Sequence, residues 1–181
     1  MSRLFGEIRQ AAFVVPDIDE SMAYWAGTLG VGPFFIKRNL RFAGFKYYGA
    51  DSVSPTVSIA LANSGVLQIE LIQQHDVAAS IYQDFLVAGR AGLQHVSSWV
   101  TVKDFEPTVH RLKLQGMSLA QECVIPSSGV RLAYFATERH GNGIIYEVSD
   151  MLEPGHYARA AEIRDAATNW SGNNAVREVS A

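Results

Sequence analysis

Ile8-Arg9-Gln10-Ala11-Ala12-Phe13-Val14-Val15-Pro16-Asp17 is an almost unbroken apolar run that stops at a proline, whose ring removes a ladder donor and sets a turn. It reads as a strand with one polar side chain, Gln10, in its middle. Asp19 then offers an N-cap to a segment whose Met22, Trp25 and Leu29 recur at helical spacing until Gly30. Apolar stretches at Phe34–Ile36, Phe42–Tyr48, Thr56–Ala62 and Val66–Ile72, separated by polar or glycine-bearing turns, predict three or four further strands. The same order then recurs. Laying Gln10 on His95 also lays Val15 on Val100, Asp19 on Asp104 and Leu29 on Leu114 without a gap, and strands follow at Gln121–Ile125, Val130–Ala136 and Gly143–Val148. Two copies of a βαβββ unit, each with one sheet face too apolar to stand alone, are the expected result. The fold class is α+β.

These boundaries divide the chain into a paired domain over 1–152, with modules at about 6–73 and 91–150, and a C-terminal helix and polar tail over 153–181. Ser80–Leu86 suggests a short helix between the modules, and Pro154–Asn169 an alanine-rich one after them. The last segment, Ser171–Ala181, is small and polar, and either frays or docks on a partner subunit.

With 181 residues, 48% of them hydrophobic, the chain can bury a sizeable core. Its acids and bases are interspersed to a net charge of −3, without the basic stripe that nucleic acid requires, so nucleic acid is set aside as a partner. No apolar run approaches the roughly 20 residues that span a bilayer and no signal-peptide core stands at the N-terminus, which reads as a cytoplasmic protein without membrane attachment. A single cysteine, Cys123, beside Val124-Ile125-Pro126, excludes a disulfide framework and reads as a packed side chain.

Chemistry concentrates in the strands. Glu70 stands inside Leu67-Gln68-Ile69-Glu70-Leu71-Ile72, and Glu147 inside Ile144-Ile145-Tyr146-Glu147-Val148. Strand alternation sets Gln68, Glu70 and Ile72 on one face and Ile69 and Leu71 on the other. An unpaired buried carboxylate costs several kcal/mol, roughly, and neither strand offers an Arg or Lys neighbour, so each needs a cation, a metal or a solvated cleft. Both glutamates occupy the last strand of their modules, while Gln10 and His95 occupy superposable places in the first strands. The duplication therefore draws four polar side chains toward one pseudo-twofold centre. Two carboxylates, an amide oxygen and an imidazole suit one divalent ion of Zn, Ni, Co, Mn or Fe, with positions left for water or substrate oxygens.

In Gln10–Asp19, Leu29-Gly30-Val31-Gly32-Pro33-Phe34, Ile69–Gln73, Gly92–Val96 and Tyr146-Glu147, the sequence resembles the vicinal-oxygen-chelate superfamily. Within it the likeness is to the glyoxalase-like branch that includes methylmalonyl-CoA epimerases. The resemblance implies a half-barrel cleft between paired modules and a metal held by Gln10, Glu70, His95 and Glu147. It implies an enolate next to a carbonyl, with Glu147 or Glu70 as the proton-carrying residue of an isomerase, epimerase or lyase acting on an acyl-CoA or small oxo-acid. Gln10 departs from the epimerase-like pattern, which has histidine there, and makes the set resemble that of some glyoxalase I enzymes; no arginine pair for a glutathione tripeptide accompanies it. A dioxygenase iron site wants two histidines and one carboxylate, which this set lacks. The competing reading is a non-catalytic small-molecule-binding protein of the bleomycin-resistance type.

Among other residues, His75 and His110 read as surface or packed histidines, and His140 and His156 as residues that could reach the pocket. Trp25, Phe34 and Phe35 read as core or pocket walls, and Lys46 and Arg131 as candidates for an anionic substrate group. A free sheet edge and the C-terminal helix suggest a homodimer.

Overall fold

The computed structural model describes residues 2–137 and 144–179. Along the chain run β1 (Ile8–Val14), α1 (Ile18–Gly27), β2 (Phe34–Arg41), β3 (Ala43–Tyr47), β4 (Ala50–Asp51), β5 (Thr56–Ser64) and β6 (Leu67–Gln74). After the linker helix α2 (Ile81–Val87) come β7 (Gly92–Trp99), α3 (Val102–Leu114), β8 (Ser118–Val124), β9 (Arg131–Ala136), β10 (Ile145–Ser149), α4 (Pro154–Ala167) and β11 (Val176–Glu178). All the strands join one sheet in the order β11-β2-β5-β6-β1-β7-β10-β9-β8-β3-β4.

The duplication is visible in the register. Strands β1 and β7 pair antiparallel, with Gln10 opposite Ser97 and Ala12 opposite His95. Exchanging the two modules, Gln10 for His95 and Ala12 for Ser97, turns each of those pairs into the other. On the flanks β6 runs parallel to β1 with Glu70 beside Ala12, and β10 runs parallel to β7 with Glu147 beside Ser97. Glu70 and Glu147 are thus equivalent places in the two halves.

The sheet curls strongly. Strand β2 ends at Arg41 and β3 begins at Ala43, yet they stand toward opposite ends of the strand order. One residue spans at most about 3.6 Å, so the two ends must approach each other there. Register shifts between Lys37 and Leu40, Ala43 and Lys46, and Leu119 and Gln121 supply the bends. The convex face is covered by α1, through Ile18 and Met22 on Ile69 and Leu71, and by α3, through Phe105, Val109 and Leu112 on Phe135 and Val148. Inside the curl, Ala12, Val14, Ile59, Ile72, Leu132 and Tyr134 meet Ile81, Tyr82 and Phe85 of α2. Each fully buried side chain of this size contributes about 1.5–3 kcal/mol. The linker helix, expected only as a connection, thereby occupies the concave side. No helix among the described residues is long and apolar enough to cross a membrane.

Two local expectations change. The α1 cap is Asp17, whose carboxylate accepts from Glu20 N at 2.9 Å, because the helix begins as soon as Pro16 has turned the chain. Asp19 instead pairs with Arg38, which also reaches Glu178. In the second module Thr101 holds the cap position and Asp104 lies in the first turn. The polar tail neither frays nor awaits a partner over Val176–Glu178: it pairs parallel with β2, Val176 beside Phe34.

Trp170 leads into that strand, its indole N–H donating to Asn173 O at 2.7 Å. A Cβ on Gly32 would come within 2.7 Å of the indole ring. Gly32→Ala is therefore expected to push Trp170 off its seat and cost about 1–3 kcal/mol, as overpacking does. A lower thermal midpoint with red-shifted tryptophan emission is the expected readout; an unchanged midpoint would show that the ring slides aside without cost.

Candidate metal centre

Glu70, His95 and Glu147 present ligand atoms that all lie within 4.8 Å of one another, and all three residues are buried. Alternation along β6, β7 and β10 turns these side chains inward. His95 Nε2 stands 3.5 Å from Glu70 Oε2 and 3.4 Å from Glu147 Oε2. Both separations exceed the 2.7–3.2 Å or so of an N–H···O bond, and Nε2 has no hydrogen-bond partner although it is buried. Two donors on one ion at about 2.1 Å, set at a tetrahedral angle, are about 3.4 Å apart. A buried, partnerless nitrogen facing two carboxylates at that spacing fits a divalent ion.

The surroundings discriminate between the two glutamates. Ser97 Oγ donates to Glu147 Oε1 at 2.6 Å, and Ser149 lies 3.2 Å from Ser97 Oγ. Glu70 has no such side-chain donor among the described residues. Burial alone would raise both carboxyls. The imidazole of His95, with help from the Ser97 and Tyr134 hydroxyls, reverses that for Glu147 and holds it below its ordinary value. For Glu70 burial wins over His95, the charge of Glu147 adds to it, and its pKa is raised. Burial pushes His95 down, but the carboxylates of Glu147 and Glu70 outweigh it and lift the imidazole to about 9.

Gln10 lies on the same inner face, one residue pair further along. Its Nε2 donates to Gln68 Oε1 at 2.8 Å, which leaves Oε1 as the free end of the amide among the described residues. The other side of His95 is held by Gln94, whose Oε1 lies 2.8 Å from Nδ1. The ring of Tyr134 meets the imidazole edge-on at 5.2 Å.

Of the remaining sequence candidates, Arg131 is committed to Asp150, Glu106 and Val102 O, and Lys46 pairs with Glu122, so both are tied down away from the centre. His75 bonds Ser58 Oγ, His110 is exposed, and His156 faces the carbonyls of Asp150 and Ser128. Cys123 is packed in the inner core, where burial pushes its thiol well up. His140 lies outside the described residues. Ser97 was legible as a residue two after His95 on the same strand face; Gln94 was not, because strict alternation would turn it outward.

A metal must displace the proton that His95 carries below about pH 9. Affinity is therefore expected to rise about tenfold per pH unit through neutrality and to level off above about 9, with roughly one proton released per ion at pH 7.5. Calorimetric titration with Zn2+ in buffers of different ionisation enthalpy measures that proton. A pH-independent affinity between 6 and 8 would remove His95 from the site.

Residues 9–135 match the sequence model of the Glyoxalase/Bleomycin resistance protein/Dioxygenase superfamily. Among solved structures, methylmalonyl-CoA epimerase from Mycobacterium tuberculosis is 18% identical with a TM-score of 0.56, over 82% of this chain and 90% of that one. A hypothetical protein from Bacillus halodurans C-125 is 19% identical with a TM-score of 0.54, over 79% and 92%. A variant of methylmalonyl-CoA epimerase from Streptomyces coelicolor, in complex with 2-nitronate-propionyl-CoA, is 14% identical with a TM-score of 0.51, over 80% and 94%. At such identities the likeness is one of fold. No curated protein matches the chain in sequence. With the superfamily match covering most of its length and the paired modules in place, the chain belongs to the glyoxalase/bleomycin resistance protein/dioxygenase superfamily, the vicinal-oxygen-chelate proteins.

Proposed function

We propose that the chain is a divalent-metal-dependent enzyme that moves a proton next to a carbonyl group, as an isomerase, epimerase or carbon–oxygen lyase. The observation that carries this reading is the partnerless Nε2 of His95 between the carboxylates of two equivalent strands. A bound ion of Zn, Ni, Co, Mn or Fe would polarise the substrate carbonyl and offset the enolate charge that develops on its oxygen. Gln10 through Oε1, His95 through Nε2, and Glu70 and Glu147 through their carboxylates are the residues that would hold it.

The two glutamates then divide the work. Glu147 is pinned by Ser97, which suits a fixed ligand. Glu70, with no comparable anchor, can turn between the ion and the substrate carbon. Glu70 takes the proton from the carbon next to the carbonyl onto a carboxylate oxygen; it returns it to carbon in an isomerase or epimerase, or gives it to the departing oxygen as the carbon–oxygen bond breaks in a lyase. Against α2 lies a cavity of about 140 Å³ lined by Ile81, Asp84, Phe85, Arg90, Ala136 and Ile145; none of Gln10, Glu70, His95 and Glu147 lines it, and Ile145, on the strand next to His95, is the side chain between the two. Room of that size suits a small oxo-acid or the acyl end of a CoA thioester. The complete burial of His95 under α2 also supports a second reading, a small-molecule-binding protein without turnover.

A panel of 2-oxo-acids and acyl-CoA thioesters in deuterated water separates the two. Metal-restored protein is expected to wash deuterium into the carbon next to the carbonyl. Glu70→Gln should slow that exchange about 10²–10⁴-fold with a modest loss of metal affinity, since the amide keeps an oxygen donor, whereas Glu147→Gln, which disturbs the ligand fixed by Ser97, should lower metal affinity more and activity in proportion to the metal lost. Binding without exchange on every compound would leave the non-catalytic reading.

We also propose a homodimer. The sheet ends in two short exposed strands, β11 of three residues and β4 of two, either of which offers an edge to a second copy. Light scattering is expected to give twice the 19.8 kDa of the chain, and the chain mass alone at micromolar concentration would remove the dimer.

A further inference from the structure

We infer that Gln94 is a positioning residue that makes Nε2, not Nδ1, the metal-facing nitrogen of His95, and that it does so through the first residue of α2. The inference rests on the metal reading of the cluster above.

Strand β7 carries a bulge at this place. His95 stands opposite Ala12 and Leu93 opposite Phe13, so Gln94 is the extra residue, with no partner of its own on β1. A bulge re-aims its side chain, and Gln94 is completely buried beside His95. Its amide has two ends, and the structure fixes which is which. Nε2 donates to Ile81 O at 2.6 Å, and a backbone carbonyl can only accept. The oxygen end is thereby left to face His95 Nδ1 at 2.8 Å, where it can only accept as well. Nδ1 must carry the proton, and the lone pair of the neutral ring falls on Nε2, the atom that faces Glu70 and Glu147.

The anchor at the far end is itself fixed. Ile81 N donates to Gln121 Oε1 at 3.2 Å. Ser80, the α2 cap, accepts from Gln83 N at 3.0 Å and donates to Gln74 Oε1 at 2.6 Å, and Gln74 Nε2 donates to Ala78 O at 2.8 Å. The helix therefore cannot turn its first carbonyl away from Gln94 without breaking bonds among buried groups. The equivalent bulge in β1 falls on Arg9, which pairs with Glu7 and makes no such bond to Gln10, so the device belongs to the second module alone.

Two variants and one direct observation test this. Gln94→Leu removes the acceptor, and Zn2+ affinity, read by competition with a chromophoric chelator, is expected to fall about 10–100-fold, as loss of an outer hydrogen bond to a ligating histidine does. Gln94→Glu keeps an oxygen on Nδ1 and is expected to stay within a few-fold of wild type, although it loses the bond to Ile81 O. A purely structural role would give the reverse signature, with both variants lowering the thermal midpoint and neither changing the affinity of the folded protein. In Zn2+-loaded wild type, nitrogen-15 spectra should show Nε2 bound to the ion and a slowly exchanging proton on Nδ1. Zinc on Nδ1, or a Gln94→Leu protein that folds and binds Zn2+ as wild type does, overturns the inference. If Gln94→Leu does not fold, the wild-type spectrum and Gln94→Glu still decide it. Wild-type protein that takes up no Zn2+ overturns the proposed function instead; a slowly exchanging Nδ1 proton in metal-free protein would then still support the Gln94 bond, and its absence would sink it.

Discussion

Two carboxylates buried side by side repel each other in a medium that screens them poorly, and the middle of this molecule is organised around that fact. Each would cost several kcal/mol, roughly, if left unpaired. His95 lies between them and faces both, and Ser97 supports one. The arrangement is possible only because β1 and β7 pair antiparallel at the centre of the sheet, with β6 and β10 parallel on their flanks. That order sets the last strands of both modules symmetrically about the first strands, so that equivalent glutamates converge.

The symmetry extends beyond the strands. Helix α2 follows β6 as α4 follows β10, and each roofs a crevice beside the centre. Ile81, Asp84, Phe85 and Ala88 line one; Tyr157, Ala160, Ala161 and Arg164 line the other, at the same spacing. The floors differ. Ala136 and Ile145 lie under α2, whereas Asn63 stands at the place equivalent to Ala136 under α4, beside Gln68, the counterpart of Ile145. Duplication has thus produced a larger cavity with an apolar floor on one flank and a narrower one with an amide in its floor on the other.

Much of this was legible in the sequence, for identifiable reasons. A glutamate in the middle of an apolar strand is conspicuous, and its counterpart in the second copy removes coincidence; Glu70, His95 and Glu147 follow from pattern alone. Gln94 does not, because the bulge that turns it inward leaves no trace in the alternation. The filling of the concave side by α2 was hidden as well: Ile81, Tyr82 and Phe85 show an apolar face but not the surface that it covers. The tail pairing at Val176–Glu178 is not legible either, because Val-Arg-Glu carries no strand signal strong enough to outweigh its polar neighbours. The Asp17 cap shows how a residue's place is settled by where the previous element stops rather than by its own propensity.

The pairing of β11 with β2 also has a bearing on how the chain is made. Ile36 leaves the ribosome long before Glu178, the residue it pairs with. At about 5–20 residues per second the delay is on the order of 10 s. Throughout that interval the outer rim of β2 is an open template for any extended chain nearby. Arg38 lies just beyond the residues that β11 will cover and is already held by Asp19, a residue made before it. When residues 176–178 do arrive, Glu178 meets Arg38 at 3.0 Å, so a guanidinium already oriented by Asp19 fastens the cover of the edge.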